Sequence, residues 1–221
     1  MAQVISMLDA ARAGGLDVMA DCYPYDAFST RIGETTYDPG FLERYHCGYD
    51  AIGLCGGKYD GMRCTKEIFE ELRGEHPETI TVGYVMQPED VAMAMYHPAV
   101  MLCSDGLMEK RQGHPRAAGT FPRLIAQYVR NGSLSLYDAV DKMTAMPARR
   151  IGLNRKGNLT PGSDGDVVIF DPEQISDQAT FQQPDLPPLG IDYVLIGGEI
   201  ACDHGVIQNG RLGRPIRRRK P

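Results

Sequence analysis

Apolar and polar positions follow two rhythms along this chain, one of helical and one of extended period, and the switches between them mark its elements. Val4, Ile5, Leu8 and Ala11 recur at helical spacing, which predicts an amphipathic helix that Gly14-Gly15 stops. Leu16 to Cys22 then reads as an extended run. Pro24, with no backbone N–H to donate, ends that run near Tyr23 and leaves Tyr25, Ser29 and Thr30 on an expected loop. From about Arg31 to Ile80 turn formers are dense, among them Gly33, Pro39, Gly40, Gly53 and Gly61, so this stretch reads as an insertion with one helix over Lys66 to Arg73.

Thr79 to Tyr84 alternates in strand fashion, and Pro88-Glu89-Asp90 opens a helix through Met95 with acids at its positive end. Ala99 to Cys103 is an apolar run expected as a buried strand, delivering Ser104, Asp105 and Gly106 at its C-terminal end. A loop through His114-Pro115-Arg116 follows. Pro122 is expected in the first turn of a helix with Leu124, Ile125, Tyr128 and Val129 on its apolar face. Ser135 with Asp138 should cap the next helix, and Lys142 to Leu153 closes the helical part. From Lys156 short strands alternate with glycine turns, and Tyr193–Ile196, Gly197-Gly198 and Glu199–Cys202 read as a hairpin. Pro184, Pro187 and Pro188 mark one long loop. The whole is an α/β pattern followed by a small β domain.

Composition narrows the function classes. With 221 residues, 43% hydrophobic and 24% charged, the chain has ordinary globular proportions, and its net charge of -6 argues against a nucleic-acid surface. The basic run Arg211, Arg214, Arg217, Arg218, Arg219 and Lys220 reads as a solvated tail. Six cysteines are too irregular for a disulfide scaffold. Cys22 and Cys103 read as buried thiols, whereas Cys47, Cys55 and Cys64 beside His46 lack a Cys-x-x-Cys knuckle and stay unassigned. With no signal-peptide pattern at the start and no apolar span, the expectation is a cytoplasmic protein with no membrane partner.

Asp105 is the first candidate for chemistry, because a carboxylate at a strand's C-terminal end can take a proton from water or bind a metal; as a plain turn residue it would instead shape the bend before Gly106. Arg116 can hold a carboxylate with two parallel hydrogen bonds, the alternative being a surface ion pair. Met86 suits either an apolar substrate pocket or the core. His97 and His114 each precede a proline and have no partner at ligand spacing, which favours structural roles.

Taken together, Asp17–Tyr25 (DVMADCYPY), His97–Gly106, His114-Pro115-Arg116, Lys142–Ala148 (KMTAMPA) and Gly162–Pro172 (GSDGDVVIFDP) resemble the amidohydrolase superfamily, and within it the N-acyl-D-amino-acid deacylases. The resemblance covers nearly the whole chain apart from about residues 31–80. It implies the last strands and helices of a metal-dependent-hydrolase-type (β/α)₈ barrel over residues 1–155, including the Gly-rich insertion, and a small C-terminal β domain with the basic tail over 156–221. It further implies hydrolysis of the amide bond of small-molecule N-acyl-D-amino acids by a zinc-activated water, with Asp105 as the catalytic acid–base and Arg116 on the substrate carboxylate. Tyr23 and Ser29 would donate to that carboxylate or nearby groups, and Met86 would line the side-chain pocket. The family's His-x-His zinc pair has no counterpart among the scattered His46, His76, His97, His114 and His204, so the chain provides no metal ligand except Asp105 as a weak one at most. The expectation is the C-terminal part of such an enzyme, incomplete on its own, with a second chain as one way to supply the rest of the barrel. The alternatives are a dihydroorotase-like or hydantoinase-like cyclic amidase, and a non-catalytic fragment or interaction module.

Overall fold

The computed structural model of the chain describes residues 1–109 and 111–216. Arg217, Arg218, Arg219 and Lys220 of the basic run therefore lie outside the described residues, while Arg214 pairs with Asp164 at 3.3 Å.

Helix α1 (Ala2–Ala13) ends at Gly14-Gly15 as its pattern predicts, but it buries no residue. Ile5 and Leu8 pack against the core while Val4 and Met7 on the same spacing stay exposed, because α1 meets the fold along one narrow side. The extended run condenses to a short strand, β1 (Ala20–Cys22). Ser29 and Thr30, expected on a loop, lie on a strand, β2 (Phe28–Arg31). The turn-rich stretch is no loose insertion. Helix α2 (Phe41–Tyr45), strand β3 (Ile52–Cys55), helix α3 (Lys66–Glu75) and strand β4 (Ile80–Gly83) fold with β2 into an antiparallel sheet ordered β2-β4-β3. One face of it closes over a core of its own, built from Ile32, Tyr37, Phe41, Ile52, Leu54, Cys64, Phe69 and Leu72. Aromatic rings carry that core, with Phe41 and Phe69 stacked at 5.2 Å and Tyr37 edge-on to both.

Helix α4 (Pro88–Tyr96) leads into β5 (Val100–Leu102), which runs parallel to β1 with Ala20 opposite Val100 and Cys22 opposite Leu102. The two-stranded ribbon β6 (Met108–Glu109) and β7 (Gln112–Gly113) follows. Arg116, placed on a loop by its proline context, is the first residue of helix α5 (Arg116–Leu124). Pro122 accordingly sits inside the helix and not in its first turn. Lacking an N–H, it interrupts the regular ladder, and the next turn widens to i→i+5 bonding over Ile125–Val129, with Arg130 N donating to Ile125 O at 3.1 Å. Ser135 caps α6 (Leu136–Met143), its Oγ accepting from Asp138 N at 3.0 Å, and α7 (Ala145–Ile151) follows. Val91, Met95, Val100, Leu102, Leu124, Ile125 and Ala139 form the larger core between these helices and the parallel pair.

The remaining strands, β8 (Val167–Phe170), β9 (Ile191–Ile196), β10 (Glu199–Asp203) and β11 (Val206–Ile207), make one antiparallel sheet in the order β11-β10-β9-β8. The β9–β10 turn is the expected two-residue one, with Gly197 and Gly198 at φ 62° and 88°, a combination that favours glycine. Asp166 accepts from Gly197 N at 2.8 Å and is gripped by Lys156, which explains the acid at that position structurally. Between β8 and β9 the chain leaves the sheet as a strap over residues 171–190, sinks Ile175 into the larger core, and runs back past α5.

Candidate active site

The parallel ladder continues one step beyond β5, where Cys103 N donates to Cys22 O at 3.0 Å, and there the chain turns away. Asp105 makes that turn at φ 44°, an uncommon left-handed conformation for a side-chain-bearing residue. Gly106 lets the loop close onto α5, since a Cβ there would lie 2.7 Å from Ala117 Cα. These two residues carry the Asp105 carboxylate, 68% exposed, to the start of α5.

Arg116 waits there, its side chain only 4% exposed, so the ion pair it makes joins a buried guanidinium to an exposed carboxylate. Its Nη2 meets Asp105 Oδ2 at 3.0 Å and donates to Ser29 O at 3.3 Å, and its Cζ lies 4.4 Å from the centre of the Tyr23 ring. Its Nε and Nη1 are buried and find no acceptor among the described residues. Buried donors of a charged group left unpaired cost on the order of 1–3 kcal/mol or more each, so the guanidinium keeps hydrogen-bonding capacity for an anion.

Tyr23 donates to Met86 Sδ at 3.7 Å, and burial raises its phenol pKa against the opposing pull of Arg116. Tyr23, Met86, Cys22, Cys103 and Asp21 line a cleft of about 390 Å³ that ends at Asp105. A second cleft, about 300 Å³, opens on the other side of the ion pair between Ser29, Thr30, Arg31, Glu34 and Leu107. Burial, with Asp21 nearby, pushes the Cys103 thiol up to about 12, so it stays protonated at neutral pH. All five residues singled out from sequence, Asp105, Arg116, Tyr23, Ser29 and Met86, thus line these two clefts, which share Asp105. Ser29 touches Arg116 through its backbone carbonyl and not through its hydroxyl.

His114, expected in a structural role, lies two residues before Arg116 in the chain, and the groups packed on it were not foreseen. His114, on no exposed surface at all, accepts from Arg116 N through Nδ1 at 3.0 Å and donates from Nε2 to Ala27 O at 2.9 Å. Tyr25 and Phe181 flank its ring. The pairing of a histidine with a main-chain amide two residues on has a local signal in His-Pro-Arg; the partnership with Phe181 has none.

A metal requires several converging donors, and no group of three His, Cys, Asp or Glu side chains able to hold one occurs among the described residues. These residues on their own do not fit a metal ion. No helix among them is long and apolar enough to cross a membrane.

Against known proteins, residues 61–202 match the Amidohydrolase family. The chain is 32% identical over 98% of its length to an N-acyl-D-glutamate deacylase of Alcaligenes xylosoxydans xylosoxydans, and 32% identical over 98% to a D-aminoacylase of the same organism. In each case it spans 45% of the relative's length. Among solved structures it resembles the N-acyl-D-glutamate deacylase of Bordetella bronchiseptica complexed with zinc and a phosphonate mimic of the tetrahedral intermediate. The TM-score is 0.77 at 31% identity, covering 91% of this chain and 44% of that one.

Proposed function

We propose, since this chain belongs to the amidohydrolase family, that it forms the C-terminal part of an enzyme hydrolysing the amide bond of N-acyl-D-amino acids. Residues 1–155 would contribute the last units of a (β/α)₈ barrel, with β1 and β5 as neighbouring parallel strands, and residues 156–221 a small β domain and tail. The observation that carries this reading is the pair formed by a buried guanidinium with two unpartnered nitrogens and an exposed carboxylate 3.0 Å from it.

The guanidinium of Arg116 receives the substrate's free carboxylate, which fixes the amide within reach of Asp105. Asp105 takes a proton from the attacking water as its oxygen adds to the amide carbonyl, and returns that proton to the nitrogen as the C–N bond breaks. The products are a carboxylic acid and the free D-amino acid. Met86 and Tyr23 offer the substrate's side chain an apolar wall. The described residues offer no group able to hold a metal; zinc, present in the Bordetella relative's complex, would be held chiefly by residues that correspond to the part of the relatives this chain does not span, on the same polypeptide or a second one.

The test combines this chain with the remaining part of a D-aminoacylase and follows amine release from N-acetyl-D-amino acids. Asp105→Ala should lower turnover by at least about 10²-fold, the usual worth of a general acid–base. Arg116→Ala should raise KM chiefly for substrates with a free carboxylate; an equal loss on carboxylate-free amides would refute the role given to Arg116.

A further inference from the structure

We infer that His114 is a positioning residue, whose ring ties the main chain of Arg116 to the strand beneath the guanidinium and so fixes where the carboxylate-binding group lies. This inference rests on the reading of Arg116 given above. The imidazole has both nitrogens committed. Arg116 N is a donor, so Nδ1 must be an acceptor; Ala27 O is an acceptor, so Nε2 must carry the hydrogen. A doubly protonated ring would set an N–H against the Arg116 N–H.

Apart from the Asp105 ion pair, the supports of Arg116 gather around this ring. The backbone of Arg116 hangs on Nδ1. Ala27, fully buried and held by Nε2, precedes β2, and two residues later Ser29 O accepts from Arg116 Nη2. Tyr23, whose ring faces Arg116 Cζ, lies 6.0 Å from the imidazole centre. Tyr25 and Phe181 meet the imidazole edge-on at 5.1 and 5.0 Å, so it cannot rotate without displacing one of them. Phe181 belongs to the strap between β8 and β9, which places a residue of the C-terminal part of the chain directly behind the site. His114 does not touch Asp105 or either cleft; it acts through Arg116 alone.

The variants separate the two bonds. His114→Phe keeps a ring and loses both, His114→Asn retains an acceptor near Arg116 N, and His114→Gln retains a donor towards Ala27 O. Calorimetric titration of the full chain would compare N-acetyl-D-methionine with its carboxamide, N-acetyl-D-methioninamide, with thermal unfolding confirming that each variant is folded. The wild type should prefer the acid by about 10- to 100-fold, the worth of hydrogen bonds to a charged group. His114→Phe should reduce that preference to the level of Arg116→Ala, and His114→Asn should restore part of it. A folded His114→Phe with the wild-type preference overturns the inference. If the wild type itself shows no preference, this chain alone does not form the carboxylate site, and His114 is then judged by amide exchange. His114→Phe should speed exchange at Arg116 N–H at least about tenfold more than at Leu54 N–H in β3, which donates to Met62 O at 2.9 Å, and equal effects at the two sites would overturn the positioning role.

Discussion

At the scale of single residues, the buried histidine makes a prediction about acid stability. Burial, reinforced by the charge of Arg116, depresses the His114 pKa from its usual 6.5 to about 3, against the pull of its bond to Ala27 O. As pH falls below 6.5 the unfolded chain takes up this proton while the folded chain refuses it. Stability is therefore full above about 6.5 and is lost as pH drops towards 3, by at most about 1.4 kcal/mol per pH unit. Urea unfolding of wild type and His114→Phe across that window should show a shallower pH slope in the variant, whatever its stability at neutral pH. The place of Asp105, just past a buried strand, was legible in the sequence because the apolar run Ala99–Cys103 announces it locally. His114 showed there only as a histidine without a ligand partner, since Ala27 and Phe181 are distant in sequence and ordinary in type.

At the scale of elements, α6 is seated on the parallel strands by a charge. Lys142 is buried, and its Nζ donates to His97 O at 2.5 Å and Val100 O at 2.8 Å, stitching the helix to the entry of β5; burial lowers its pKa. Replacing it by methionine keeps the apolar stem and strands both carbonyls, which should cost on the order of 2–4 kcal/mol. A shift of the urea midpoint at unchanged slope would measure it, and a shift within error of zero would disprove the seating role. Helical and alternating patterns gave the larger elements well: α3, α4, β5, the Ser135 cap and the β9–β10 hairpin all lie where the residues place them. The failures share one cause. The turn-rich stretch hides a sheet because its strands are four residues long and its core is drawn from rings scattered between glycines. Pro122 misled because its cost is absorbed by a widened turn that no local pattern announces.

At the scale of the whole molecule, the parallel pair β1–β5 is a two-stranded sheet, and parallel strands are ordinarily covered and flanked by further strands. Val4, Met7 and Leu16 beside it remain exposed, and the chain spans 45% of its curated relatives. With no three-donor group among the described residues, the purified chain dialysed against zinc should retain less than about one equivalent, as measured by elemental analysis. Stoichiometric, tightly held zinc would show that the ligands lie within the chain after all. The family was readable from motif order across the chain.

The strap that carries Phe181 to the back of His114 also sets a schedule. The imidazole joins Ala27 to a residue 87 positions later, and its last neighbour emerges from the ribosome only after most of the chain has been made. Contacts so distant must wait for loop closure, so the anion-gripping corner is among the final parts to lock during synthesis. A nascent chain arrested before the strap would carry every residue of the candidate chemistry and still lack the wall that holds it in register.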